Sequence, residues 1–140
     1  MDKLTHYMSI IKKQCHSFMT EELKDLDISG AEAPFIKYLS QHPNCRQTDL
    51  SKAFDCDKSH THRIISKLIE KKIISQAEQS NSFSLTDKGK SMVATINKTT
   101  KKWIDTLCYG ISKEEEQIAL SILKKCADNA CQLKTETKND

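Results

Sequence analysis

The sequence predicts a mainly α-helical chain with one small β-hairpin: a winged helix-turn-helix with further helices at both ends. Three observations predict it. Apolar residues recur at helical spacing through most of the 140 residues. That period gives way to alternation only between Ile73 and Leu85. Just ahead of the change, Asp57 to Lys72 carries an apolar back and a polar, basic front.

The first helix spans residues 3–26, with Leu4, Met8, Ile11, Cys15 and Phe18 stepping by four and three as in a coiled-coil seam. A seam of this length needs a partner surface, in the same chain or in a second subunit. Asp27-Ile28-Ser29-Gly30 breaks the pattern. A second helix covers Ala31 to Gln41, burying Phe35, Ile36 and Leu39 and tolerating Pro34 in its first turn. After His42-Pro43-Asn44, a short third helix from Cys45 to Phe54 turns Leu50, Ala53 and Phe54 inward. Asp55-Cys56 is the tight connection into the fourth helix.

That fourth helix carries the most distinctive pattern in the chain. Asp57 is placed to cap it, and Ile64, Ile65, Leu68 and Ile69 form its buried stripe. Lys58, Ser59, His60, His62 and Arg63 crowd its beginning with hydrogen-bonding groups, and Lys67, Lys71 and Lys72 extend the positive charge. A helix of this kind fits the major groove of DNA. Next comes a hairpin of Ile73–Gln76 and Ser82–Leu85 around a polar loop. Thr86 caps a long helix reaching towards Tyr109, with Met92, Val93, Ile96, Trp103, Ile104 and Leu107 on one side. Ser112 and Glu115 form the capping box of a last helix striped by Ile118, Ile122, Cys126 and Leu133, and the tail from Lys134 reads as its frayed end.

The composition narrows the function. The length favours one compact domain, and a net charge of +3 is too small to identify a nucleic-acid partner by itself. Only Arg46 and Arg63 are arginines, and both fall in the central segment. No apolar run reaches the roughly 20 residues of a membrane span, and the N-terminus lacks a signal-peptide pattern, so a cytoplasmic protein is expected. The six cysteines form no C-x-x-C pair and match no zinc-site spacing, which predicts free thiols and no metal or cofactor. With three glycines in the chain, no phosphate loop or nucleophile elbow is present, and no enzyme is predicted.

Three stretches together resemble the MarR family of bacterial winged-helix regulators. Thr48-Asp49-Leu50-Ser51-Lys52-Ala53-Phe54 is similar to the family's short helix before the recognition helix. Asp57 to Ile74 resembles its D-R-S-T-V-T-R-L-V-D-R-L-E-x-x-G-L-V recognition stretch. Ser84-Leu85-Thr86-Asp87-Lys88-Gly89 matches the S-L-T-x-x-G that closes the wing. The likeness runs along essentially the whole chain, and its informative motifs lie between Cys45 and Gly89.

The resemblance implies one domain over residues 1–140: a DNA-binding part of about 30–89, and dimerisation helices of about 3–26 and 90–133. It implies a homodimer whose paired recognition helices bind double-stranded DNA at a pseudo-palindromic operator, repress transcription and respond to a small-molecule effector. The DNA-binding residues so implied are Arg46, Gln47, Thr48, Lys58, Ser59, His60, His62, Arg63 and Lys67. The sequence departs from the family at the wing. Its loop is short and holds Glu78, Gln79, Ser80 and Asn81, where the family carries a longer tip with arginine.

Two alternatives stand beside this reading. The wing without a base suits a winged-helix protein-interaction module with weak or lost DNA binding. Cys15, in the first-helix seam, suits a redox-sensing regulator, since peroxide-sensing members of the family carry a reactive cysteine near that helix. Such reactivity needs a lowered thiol pKa, whereas the apolar row around Cys15 favours a packed thiol.

Overall fold

A computed structural model describes residues 2–139, with side chains over residues 2–133. The elements in order are α1 (Lys3–Glu22), a single 3-10 turn (Lys24–Leu26), α2 (Ala33–Gln41), β1 (Cys45–Arg46), α3 (Gln47–Ala53), α4 (Lys58–Glu70), β2 (Ile74–Gln76), β3 (Ser82–Leu85), α5 (Asp87–Leu107) and α6 (Lys113–Asn139). This mainly helical architecture with a small antiparallel sheet is the predicted winged helix-turn-helix. Among the described residues no helix is long and apolar enough to cross a membrane.

Several boundaries differ from the sequence-based expectation. The first helix ends at Glu22, and the Leu23–Asp27 stretch tightens into the 3-10 turn before Asp27 adopts a left-handed conformation. Cys45 and Arg46 are not helical. They pair as β1 with Phe83 and Ser82, which makes the hairpin a three-stranded antiparallel sheet in the order β1-β3-β2. The last helix continues past Leu133 to Asn139.

The chain divides into two compact units, Met1–Trp103 and Ile104–Asp140, with the boundary inside α5. The first unit holds a continuous core in which Leu23, Ile36, Leu39, Leu50, Leu68, Ile73 and Ile96 are almost completely buried. Hydrophobic burial of this kind is the main term holding the winged helix together, at about 1.5–3 kcal/mol per large aliphatic side chain. Phe35 and Phe54 stack at 4.6 Å between ring centres, and Phe18 meets Trp103 at 5.6 Å. Ala53 and Ile69, expected inside, are exposed. Ala53 ends a helix of under two turns that has room for few inward positions, and Ile69 lies beside the stripe rather than on it.

Helix ends follow the capping chemistry closely. Asp57 accepts the His60 N–H at 2.7 Å, and the Thr86 hydroxyl accepts the Gly89 N–H at 3.2 Å. Ser112 and Glu115 cap each other's backbone at 3.1 and 2.9 Å, completing the expected capping box. Helix α4 ends in a Schellman motif: the Ile73 N–H returns to the Leu68 carbonyl and the Lys72 N–H to that of Ile69, both at 2.9 Å. Lys72 takes the left-handed position there with φ of 62°. The wing-closing motif also has a steric reason. A Cβ at Gly89 would collide with the Ile73 carbonyl, so only glycine lets α5 start this close to the strand.

The second unit is different in kind. Its helix α6 opens with Glu114, Glu115 and Glu116, favourable against the helix dipole. Ile111, Ile118, Leu120, Ile122, Leu123 and Leu133 are all exposed in the single chain.

Candidate nucleic-acid interface

The candidate interface lies on the corner between α3 and α4. Thr61, fully buried, fixes this corner: its hydroxyl donates to the Asp57 carbonyl at 2.9 Å and accepts from Ser51 of α3 at 2.9 Å. A second link runs from the Gln47 side-chain amide to the Lys58 carbonyl at 3.4 Å. Behind them Ile64, Ile65 and Leu68 hold α4 to the core. With that side committed, the other face of the helix is left to solvent.

The free face carries most of the expected residues. Lys58, Ser59, His62, Arg63 and Lys67 are exposed, while His60 is half-buried with its backbone N–H capped by Asp57. The His62 ring nitrogen lies 3.5 Å from the Ser66 hydroxyl. Lys67 stands nine residues after Lys58, roughly 13 Å further along the helix axis. It is therefore set apart from the cluster at the helix start. Lys71, which the sequence adds to the basic stripe, does not join it: its ammonium is bound to Glu32 and to the Asp27 carbonyl.

Arg46, Gln47 and Thr48 form a second group. Arg46 and Thr48 are exposed, Gln47 is half-buried, and Asp49 accepts the Arg46 N–H at 3.0 Å to set the start of α3. These three residues line an open polar groove of about 480 Å³ whose opposite wall is Gln79, Ser80 and Asn81 of the wing. The wing loop carries no base, and the pairing of β1 with β3 brings it over to Arg46. No local pattern announces this, because it depends on a pairing across almost 40 residues.

Cys15 lies elsewhere, on an apolar cavity of about 190 Å³ with Met19, Gly30, Ala33, Pro34, Lys37, Ile96, Thr100 and Trp103. Burial pushes the Cys15 thiol pKa up, the direction opposite to that of a reactive thiolate. The same holds at Cys45, where burial and then the Asp49 charge raise the thiol. Cys45 is buried, while Cys56 is only half-buried.

An exposed helix held by a shorter one, beside a three-stranded sheet with its wing loop, defines a winged helix-turn-helix fold. No family model matches the chain. It is similar to the HTH-type transcriptional regulator BilQ of Clostridioides difficile (strain CD3), with 29% identity over 109 residues, covering 73% of this chain and 72% of that protein. Its fold is that of the crystal structure of MarR, with a TM-score of 0.80 and 23% identity over 97% of this chain and 98% of the other. A MepR–DNA complex from S. aureus matches with a TM-score of 0.80 and 20% identity, covering 90% of this chain and 95% of that one. The chain thus has the winged-helix fold of the MarR structures and is similar in sequence to an HTH-type regulator.

Proposed function

We propose that this protein is a cytoplasmic, homodimeric transcriptional repressor that reads a pseudo-palindromic operator with α4 and is released by a small effector. The observation that carries the DNA reading is the division of α4 into two faces: Thr61, Ile64, Ile65 and Leu68 buried, and Lys58, Ser59, His62, Arg63 and Lys67 exposed. Exposed donors at the start of a rigidly seated helix are what base edges and phosphates require. The MepR structure, a protein with DNA bound, has the same fold. Arg46, Gln47 and Thr48 add phosphate and sugar contacts beside the wing.

The homodimer is supported by the seam predicted on α1. Leu4, Tyr7, Met8 and Ile11 are all exposed in the single chain, although they lie on one helical stripe. A second copy covers such a stripe and sets two recognition helices at a fixed spacing. The effector reading rests on the cavity beside Cys15, whose apolar lining and small volume suit a compact, largely apolar molecule.

Selection of bound sequences from random duplex DNA tests the reading directly. Two inverted half-sites about one helical turn apart are expected. On the selected site, Arg63→Ala is expected to cost about 1–3 kcal/mol of binding, the usual value of a bidentate contact to guanine. Gln79→Ala is expected to cost under about 0.5 kcal/mol, as for an ordinary surface substitution. Recovery of unenriched DNA would remove the DNA reading. A larger loss in Gln79→Ala than in Arg63→Ala would make the wing the reader.

A further inference from the structure

Lys71 is the C-cap residue of α4, and its side chain leaves the DNA-facing surface altogether. Its ammonium reaches both carboxylate oxygens of Glu32, at 3.1 and 3.0 Å, and donates to the Asp27 carbonyl at 2.7 Å. Glu32 is 4% exposed and also accepts the backbone N–H and the hydroxyl of Ser29, at 3.2 and 3.0 Å. The segment they grip, the Asp27–Glu32 connection between α1 and α2, is itself fixed to α1. The Gly30 N–H donates to the Thr20 hydroxyl at 2.9 Å, and a Cβ at Gly30 would come within 2.8 Å of the His16 carbonyl.

We propose that the Lys71–Glu32 pair is a positioning latch, which sets the pose of α4 on DNA from the α1–α2 connection without touching DNA. This rests on the reading of α4 as the DNA reader. A helix of 13 residues is about 20 Å long, so a tilt of about 5° at its C-terminal end carries its first turn by roughly 2 Å. That is enough to break hydrogen bonds to base edges while leaving long-range attraction to phosphates intact. Lys71 therefore acts on specificity rather than on charge. Its three donors are already used by Glu32 and Asp27, which leaves none for a phosphate. The Lys71 carbonyl in turn accepts the Lys88 ammonium at 2.8 Å, holding the same helix end from the start of α5.

The test compares affinity for the selected operator and for random duplex across several salt concentrations. The variants are Glu32→Gln, Lys71→Met, the double substitution and the conservative Lys71→Arg, with Lys67→Ala as a phosphate-contact control. Folding of each is checked by circular dichroism. Glu32→Gln and Lys71→Met are each expected to weaken operator binding about tenfold, to leave random-duplex binding within about twofold, and to combine non-additively. Their salt slopes stay at the wild-type value, whereas that of Lys67→Ala falls by about one counterion. Lys71→Arg is expected to keep most of the operator preference, and with Glu32→Gln it carries the test if Lys71→Met does not fold. A reduced salt slope with equal loss on both DNAs would make Lys71 a phosphate contact and overturn the latch. So would unchanged operator binding in Glu32→Gln. Wild-type protein that binds neither DNA would overturn the reading of α4 and the latch with it, an outcome distinct from neutral variants in a protein that binds.

Discussion

The two units treat their apolar residues in opposite ways. Every buried hydrophobic side chain of the described residues belongs to the first, from Met19 to Ile96. Among the described residues the second buries none: Ile111 is exposed ahead of α6, Ile118, Ile122, Leu123 and others are exposed along it, and Tyr109 is 90% exposed. Periodicity alone does not separate these cases, since both show stripes at helical spacing. The first unit has a core of its own and the second has a face waiting for one. A long helix with little internal packing owes its order to whatever covers that face.

The largest expected effect tests that face. Wild-type protein should sediment as a dimer of about 32 kDa, twice the 16.0 kDa chain. Placing two carboxylates there with Ile118→Glu and Ile122→Glu should cost more than about 5 kcal/mol of association, or over a thousandfold in dimer dissociation constant. An unchanged dimer by sedimentation equilibrium would move the partner surface off α6.

Leu68→Ala is the matching change in the first unit. Leu68 is fully buried at the back of the recognition helix, and its truncation is expected to cost about 2–5 kcal/mol in denaturant unfolding. The dimer should form as before wherever the variant is folded. If it costs under about 1 kcal/mol, the core ascribed to this unit is looser than its burial indicates.

A smaller effect of opposite sign is expected at Lys72. The resemblance aligns it with a glycine, and its φ of 62° is where a Cβ is penalised. Lys72→Gly should raise stability by about 1 kcal/mol, read as a shift in the denaturation midpoint. Destabilisation instead would mean that the lysine side chain contributes more than its backbone costs.

The smallest is a null result. With its thiol held towards the protonated form, Cys15→Ser should leave peroxide sensitivity of DNA binding where it was. Peroxide-triggered release that disappears in this variant would make the protein a redox switch.

Much of the fold was legible because its signals are local. The cap at Asp57, the box at Ser112 and Glu115, the stripe of α4 and the wing closure at Gly89 each depend on residues a few positions apart. What escaped depends on partners far along the chain. Cys45 and Arg46 are a strand only because Phe83 and Ser82 lie beside them. Lys71 looks like one more base in a run until Glu32, 39 residues earlier, is seen against it. The candidate site divides in the same way: the exposed face of α4 follows from period, while the groove between Arg46 and the wing does not.

The wing without a base bears on kinetics. On the proposed DNA reading, charges attract DNA over about 8 Å at physiological salt, so Lys58, Arg63 and Lys67 would act before contact and govern how often the protein finds a duplex. Gln79, Ser80 and Asn81 act only at hydrogen-bond range. They take no part in capture or in sliding along DNA. Whatever they add is felt after docking, as a longer residence time with an unaltered association rate. On that reading, search and retention fall to separate parts of the surface, α4 and the wing.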